Sequence, residues 1–453
     1  MIATTHLRQF LRLWGIDRAV AYTLLYRGWQ ILASVGTVFT IVKFLTPIEQ
    51  GFYYTFASVL ALQVFFELGL TYVVLQFASH EKAGLAWTGR GTLDGDPIAK
   101  GRLRSLLRLA LRWYTVAAVL MIVCVLPAGL FFFSCSPDAG AAGAWLWPWT
   151  WLVLATAGTL VISPMFAVLE GCGLVADVAL VRATQDLLAY PVFWLALLLG
   201  GGLLASPLLQ MTRLLVSVGW LAWHKRAFLM DLAVFHVSGV SFSWWHEVWP
   251  MQWKIALSWL SGYFIFQLFN PVLFAFSGAA VAGQMGMSLS VTSAINTLAM
   301  AWMNTKVPTF GQLIARREFV KLDRLFFRTL RQGLGTAVLG GAAVWGGVWV
   351  LRWWQVPWSQ RVLEPLPLGL LVLVSIANVI IFSEAIYLRA HKEEPFLWNS
   401  VVGAVLMGLS IYFLSRYFGV LGMTAGYFGL TTTIGVGWAT WVFVTKRRAW
   451  HGE

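Results

Sequence analysis

Residues 106–133 read LLRLALRWYTVAAVLMIVCVLPAGLFFF. Beyond Arg112 the stretch is uncharged to its end, and at 1.5 Å per residue a helix of about twenty residues crosses a ~30 Å hydrocarbon layer. Its apolar positions are continuous. A span of a membrane β-barrel takes only about ten residues, alternately apolar and polar, so the run reads as a transmembrane helix. Eleven further runs of the same kind flank it, giving twelve expected spans at 19–44, 52–79, 106–133, 146–169, 178–200, 203–223, 252–276, 280–304, 330–351, 365–388, 397–415 and 420–445. Over the whole chain of 453 residues 59% are hydrophobic and 11% charged. Soluble globular proteins carry roughly 25% charged residues, and no soluble core absorbs this much apolar surface. Tryptophans mark the expected span ends, as in Trp145, Trp147, Trp149 and Trp151, or Trp349, Trp353, Trp354 and Trp358, where amphipathic rings favour the headgroup layer.

The charges that remain set an orientation. Of 32 Lys and Arg residues, 24 fall in connections on one side, four on the other (Lys43, Arg352, Arg361, Arg416) and four within or entering spans (Arg27, Arg182, Arg213, Lys254). Positively charged loops stay in the cytoplasm, so both termini are expected there. The net charge of +13 then serves orientation and attraction to anionic lipid, and nucleic acid is not an expected partner. The first apolar run has full span length and follows a basic segment, so no cleavable signal peptide is expected. Cys124, Cys135 and Cys172 have neither the number nor the spacing of a disulfide framework or zinc site. All seven histidines fall on the inner side and read as interfacial residues, so no metal or other cofactor is expected.

Three segments are basic and amphipathic. Residues 6–14 place Leu7, Phe10, Leu11 and Trp14 opposite Arg8 and Arg12; 100–112 oppose Leu103, Leu106, Leu107 and Leu111 to Arg104, Arg108 and Arg112. In 316–331 the residues Arg317, Lys321, Arg324, Arg328 and Arg331 recur at helical spacing, with Phe319, Leu322, Leu325 and Phe326 behind them. Each is expected as a helix on the inner membrane surface. The two longer ones sit between the second and third span of a six-span block, and each block's first hairpin leads to a glycine opening the next helix, Gly51 in EQGFYYTFAS and Gly286 in QMGMSLSVTS. This predicts two parallel halves with a substrate cavity between them: an N-terminal six-helix bundle at 1–223 including the amphipathic N-terminal segment, a cytoplasmic linker at 224–251, and a C-terminal six-helix bundle at 252–453. The longest outer loops, near 134–145 and 352–364, have about a dozen residues and leave no room for an outer catalytic domain.

A charge at mid-bilayer costs on the order of 3 kcal/mol on insertion scales, so charged and amide residues inside spans face a partner or a watery path. Arg27, with Gln30 and Ser34 on the same face, lies about 12 Å in from the inner end of the first span, and Glu67, with Gln63 a turn away, roughly 18 Å in on the second. They either pair with each other or line a substrate path. On the fifth span Arg182, Gln185 and Asp186 stand at i, i+3 and i+4, so the arginine and aspartate can pair along one face. Lys254 opens the seventh span, where Gln267, Asn270 and Pro271 interrupt the apolar run. Thr292, Asn296 and Asn304 form a polar stripe on the eighth, ending at Lys306 and Pro308, and Asn378 and Glu384 lie on the tenth. The candidate substrate-binding set is therefore Arg27, Gln30, Glu67, Arg182, Gln185, Asp186, Lys254, Gln267, Asn270, Asn296 and Lys306. No Walker A, G-x-S-x-G or H-E-x-x-H pattern and no paired aspartates in a soluble loop occur, so the chemistry on offer is electrostatic binding rather than catalysis.

Four stretches resemble the Wzx-type polysaccharide flippases of the multidrug/oligosaccharidyl-lipid/polysaccharide exporter superfamily: FLTPIEQGFYYTFASVLALQVFFELGL at 44–70, LEGCGLVADVALVRATQDLL at 169–188, VPTFGQLIARREFVKLDRLFFRTLRQG at 307–333 and GVLGMTAGY at 419–427. The resemblance implies two six-helix bundles around a central cationic cavity, alternating access by rocking, and a polyprenyl-diphosphate-linked oligosaccharide as cargo, in a bacterial inner membrane that also holds other polysaccharide-assembly proteins. Arg27 is similar to the first-helix arginine recurrent in such flippases. On this reading Arg27 and Arg182 hold the headgroup while Lys254 and Lys306 guard the entrance. A cation-coupled multidrug exporter of the same superfamily is the alternative, with Glu67, Asp186 and Glu384 supplying an acidic cavity. A membrane polymerase or ligase would need an outer catalytic loop of a size this chain lacks.

Overall fold

The computed structural model describes residues 18–89, 91–235, 242–391, 393 and 395–451. The amphipathic segment expected at 6–14 lies outside the described residues, as do the side chains of residues 18–27, Ile31, Ala233 and Val234. The chain is an all-α multi-pass membrane protein. Seven helices are long and apolar enough to cross a membrane, or eight if the bent pair Pro47–Glu67 and Leu70–Gly84 is one span. All twelve expected runs fall on helices, yet fewer meet that test, for physical reasons that differ from run to run. The first, α1 (Arg18–Phe44), begins in the segment whose side chains are not described. The fifth, Val175–Leu198, carries Asp177, Arg182 and Asp186. The eighth, Ala279–Asn304, is diluted by glycine, serine, threonine and amides. The last two runs share one helical stretch, Leu397–His451, broken at Gly419, whose φ of 61° and ψ of −146° suit only a residue without a Cβ.

Two of the expected surface helices are instead extensions of spans. Residues 100–112 belong to the 38-residue helix Pro97–Ser134, and 319–331 to the 35-residue helix Phe319–Trp353. At 1.5 Å per residue each is more than 50 Å long, well over the ~30 Å hydrocarbon layer, so the amphipathic end projects beyond it. A small antiparallel ribbon, β1 (Leu85–Trp87) with β2 (Leu93–Gly95), precedes the first of these helices. Trp87 Nε1 donates to the carbonyl of Cys172 at 2.9 Å and holds it there.

By its internal contacts the chain divides into two compact units. The first comprises 1–45, 62–134 and 144–256; the second comprises 46–61, 135–143 and 257–453. In the first unit the joining segment 224–251 is tied down by ion pairs of Lys225 with Asp177 (2.7 Å), Lys100 with Asp231 (2.8 Å) and Arg102 with Glu247 (2.6 Å), and Trp244 stacks on Trp113. The second unit includes α2 (Pro47–Leu60), although its sequence neighbours 62–84 belong to the first. Thr46 and Glu49 close a capping box that starts α2. The second span then breaks at Leu68 and Gly69, both left-handed at φ 51° and 66°, and its two halves diverge by 47°.

The crossing of α2 on Ala279–Asn304 organises the second unit. A Cβ on Gly51 would lie 1.9 Å from the carbonyl oxygen of Ala279, and one on Gly283 would lie 2.8 Å from the amide nitrogen of Gly51. Gly286 receives the ring of Tyr54 in the same way. In a membrane, where no hydrophobic effect drives helices together, such small-residue crossings supply close van der Waals packing. Gln50, 1% exposed, donates to the carbonyls of Gly283 (2.8 Å) and Arg361 (2.9 Å), and Ser288 accepts from the amide of Leu363 at 3.0 Å. Gly51 and Gly286, matched in sequence as openings of equivalent helices, thus lie along the contact between those helices. Gly51→Ala should force the two helices apart and lower the thermal unfolding temperature of the detergent-purified protein, at a cost of about 1–3 kcal/mol. Gly429→Ala, with open space around its site, should leave it unchanged.

Candidate functional site

The polar residues inside the spans collect in separate clusters within each unit. The largest in the first unit centres on Asp186, 3% exposed. Arg213 on the helix Ala205–His224 reaches it with Nη2 at 2.7 Å and Nε at 2.8 Å, both on Oδ1, while Gln30 Nε2 on α1 donates to Oδ2 at 3.3 Å. The guanidinium also lies 5.5 Å from the centroid of the Tyr190 ring. Gln185, the residue before Asp186, donates to the hydroxyl of Ser217, which itself donates to the carbonyl of Arg213 one turn earlier on its helix. Three helices, Arg18–Phe44, Val175–Leu198 and Ala205–His224, are thereby joined by one charge-balanced network. A buried carboxylate demands this balance, since an unpaired ion in a low-dielectric interior costs several kcal/mol.

This differs from the pairing the sequence allows. Asp186 does not pair with Arg182 four residues before it; Arg182 pairs with Glu170 at 3.0 Å and is 47% exposed. Asp186 points into the packed helices and Arg182 out of them, so the neighbouring helix supplies the aspartate's partner. Arg213 was legible in principle. Counted from the inner span ends, Asp186 lies about 12 Å deep and Arg213 about 15 Å, the same depth match that relates Arg27 to Glu67. Glu170 stands at the end of its span, and Tyr114 is an aromatic in an apolar run, so sequence offered no signal for either as a partner.

Glu67 terminates the short turn Val64–Glu67 before the left-handed break. Among the described residues its partners are neutral: Thr71 Oγ1 and the Tyr114 hydroxyl both donate to Oε1, the latter from 3.2 Å. The expected Arg27–Glu67 pair concerns a side chain outside the described residues.

In the second unit Asn270, 6% exposed, donates to Ser58 Oγ at 3.0 Å and sits in the short helix Phe269–Ser277 just past a break at Gln267 and Leu268. Asn296 is half-buried. The stripe on Ala279–Asn304 continues with Thr292, whose carbonyl accepts from Ser375 at 3.3 Å. Glu384, 3% exposed, accepts from Thr440 at 2.8 Å. Lys254 is exposed beside the ring of Trp253, and Lys306 is exposed ahead of the helix Val307–Ala315. The candidates whose side chains are described therefore fall in several places, and Gln30, Gln185 and Asp186 share one cluster.

At the basic end of Phe319–Trp353 the outward face carries Arg316, Arg317, Arg324, Arg328 and Arg331, all exposed, with the inward face formed by buried Leu322, Phe326 and Thr329. Lys321 is neutralised by Glu318 at 2.6 Å, whose carboxyl its ammonium holds below the usual carboxylate range. Asp323 is occupied by Arg447 at 2.6 Å and by the Tyr387 hydroxyl at 2.8 Å. The arginines on the outward face keep their charge available to an anionic partner.

The fold is similar to solved MATE transporters of the MOP superfamily. The MATE multidrug transporter DinF-BH matches with a TM-score of 0.62 at 12% sequence identity, over 96% of each chain. The eukaryotic MATE transporter AtDTX14 matches with 0.59 at 12% identity, over 96% of this chain and 99% of its own. A MOP superfamily transporter from Pyrococcus furiosus, whose reverse polarity of binding pocket suggests a different function, matches with 0.56 at 15% identity, over 94% and 95%. No protein-family model matches the chain, and no curated protein matches it in sequence.

The network around Asp186 makes a sharp demand on stability. Asp186→Leu should destabilise the protein by about 3–5 kcal/mol because it leaves a guanidinium without its carboxylate, whereas combining it with Arg213→Met should recover most of that loss. Unfolding midpoints of the two single variants and the double variant complete the cycle.

Proposed function

We propose that this chain is a membrane transporter that moves a polyprenyl-diphosphate-linked oligosaccharide, or a related glycolipid, from the cytoplasmic to the outer leaflet for polysaccharide assembly. In this reading twelve spans form two six-helix bundles working by alternating access in a bacterial inner membrane, with both termini cytoplasmic. The observation that supports it is the exposed arginine face at 316–331, at the basic end of a 35-residue helix that is longer than a hydrocarbon layer is thick. Arginine binds phosphate bidentately, and each basic residue near an anionic surface contributes about 1 kcal/mol of attraction. Direction follows from the membrane potential, because each negative charge leaving an inside-negative cell gains about 2.3 kcal/mol per 100 mV.

One observation favours the second reading, a cation-coupled multidrug exporter. Arg182 and Arg213 are already neutralised by carboxylates, while Glu67 and Glu384 have only hydroxyl partners among the described residues. Spans so arranged suit cationic rather than anionic cargo, and the multidrug transporters of similar fold lend that reading equal support.

In proteoliposomes containing a headgroup-labelled polyprenyl diphosphate sugar, the wild type should expose the label to an impermeant quencher on the far leaflet. Arg324→Gln, Arg328→Gln and Arg331→Gln together should slow this at least about tenfold, given the ~1 kcal/mol that each cation contributes. Extrusion of a cationic dye by the same vesicles, with no movement of the labelled lipid, would replace this reading with the second.

A further inference from the structure

Glu384 lies in the core of the second unit, on Pro365–Ala390, with 3% of its surface exposed. Leu388, Ala439 and Phe443, near it on its own helix and the facing segment, belong to one hydrophobic cluster, with Ile381 packed against it; the neighbouring Ser383 is buried too and directs its hydroxyl to Met300 Sδ at 3.8 Å. One oxygen, Oε1, accepts from the Thr440 hydroxyl at 2.8 Å. The other, Oε2, is buried and has no hydrogen-bond partner among the described residues. An ionised carboxylate in such a place would need a second donor or a cation.

The charged and titratable groups of the elements packed on Glu384 are engaged elsewhere or face outward. Tyr387, one turn along the same helix, is hydrogen-bonded to Asp323 and His451. Arg447 is paired with Asp323, and Lys446 with Glu393. Arg389 is exposed. Ala279–Asn304 carries no ionisable side chain along its whole length. A metal ion is a poor fit, since hard cations take about six oxygen ligands, whereas here one hydroxyl joins the carboxylate, and no group of three His, Cys, Asp or Glu among the described residues is arranged to hold a metal.

A second observation concerns the segment facing Glu384. Thr440 lies just past the π-helical stretch Thr431–Trp438. Gly435 in that stretch packs so close to Ile381, one turn before Glu384, that a Cβ there would lie 2.9 Å from its Cδ1. A π-helix is rare, and single π-turns within longer helices recur at functional sites. This one sets the position of the one hydroxyl that Glu384 meets.

We propose that Glu384 is a proton-binding site: in this arrangement it is the neutral carboxylic acid, with Thr440 donating to its carbonyl oxygen, and it releases its proton when the 431–440 segment withdraws. The step is a plain dissociation, Glu–COOH to Glu–COO⁻ and H⁺, with no other reactant. Ionisable groups inside spans are expensive and characteristically serve proton or ion movement. If the transporter reading holds, this site ties proton binding to movement of the terminal helix; the proton itself can be tested without any cargo.

The test is infrared spectroscopy of the full chain in lipid nanodiscs at neutral pH, in H₂O and D₂O. The wild type should show a protonated-carboxyl C=O band, sensitive to deuterium, that is lost in Glu384→Gln, which keeps the shape of the neutral acid. Thr440→Val should keep that band and move it to higher frequency, because a C=O stretch rises when it loses a hydrogen bond; this second variant guards against a folding defect in the first. A wild-type spectrum whose carboxyl bands are unchanged by Glu384→Gln would overturn the proposal. So would a band that disappears on adding sodium at constant pH, which would make the site one for a metal cation.

Discussion

Inside a hydrocarbon layer a polar group cannot turn to water, and this constraint runs through the molecule. Asp186 meets it with a guanidinium from the next helix and an amide from α1. Glu67 meets it with two hydroxyls. Gln50 directs its amide nitrogen to two backbone carbonyls. The pairing of charges is local, within a unit, and each satisfied group joins two or three helices. Such networks are rigid because a half-satisfied one would be worse than none.

Close packing of glycines answers the same constraint by a different route. Where α2 meets Ala279–Asn304 the backbones approach at Gly51 and Gly283, and dispersion replaces the hydrophobic effect as the source of association. The left-handed pair Leu68 and Gly69 allows the second span to depart from that contact in a new direction. In the second unit the helical hydrogen bonding is interrupted at Gln267 and Leu268, and the backbone kinks at Gly419. Irregular backbone at membrane depth is tolerated where protein surrounds it.

The likeness to MATE and MOP structures covers nearly the whole chain at 12–15% identity, so the helical framework is shared while most side chains differ. Function is decided by those side chains. Two features pull in opposite directions: an exposed arginine face at the end of Phe319–Trp353, and spans in which Arg182 and Arg213 are each paired with a carboxylate. They are compatible if the outward arginines gather an anionic headgroup and the neutralised network serves to hold helices together.

Sequence by itself determined the class and where the apolar helices lie, because about twenty consecutive apolar residues favour a helix in a hydrocarbon layer. It also pointed to buried polar residues, since Asp186, Asn270 and Glu384 fall inside apolar runs and are buried in the fold. It misjudged the amphipathic stretches at 100–112 and 316–331, because a helix lying on a membrane and one projecting past it have the same periodicity. It left partners undecided: Asp186 has a legal partner four residues away in Arg182 and takes Arg213 instead. Only the tertiary structure could make that choice, as it did for the contact of Gly51 with Gly283 and of Glu384 with Thr440. A side chain's partner depends on which faces two helices turn to each other, and that rotation is set by packing across distant segments rather than by the pattern along any one of them.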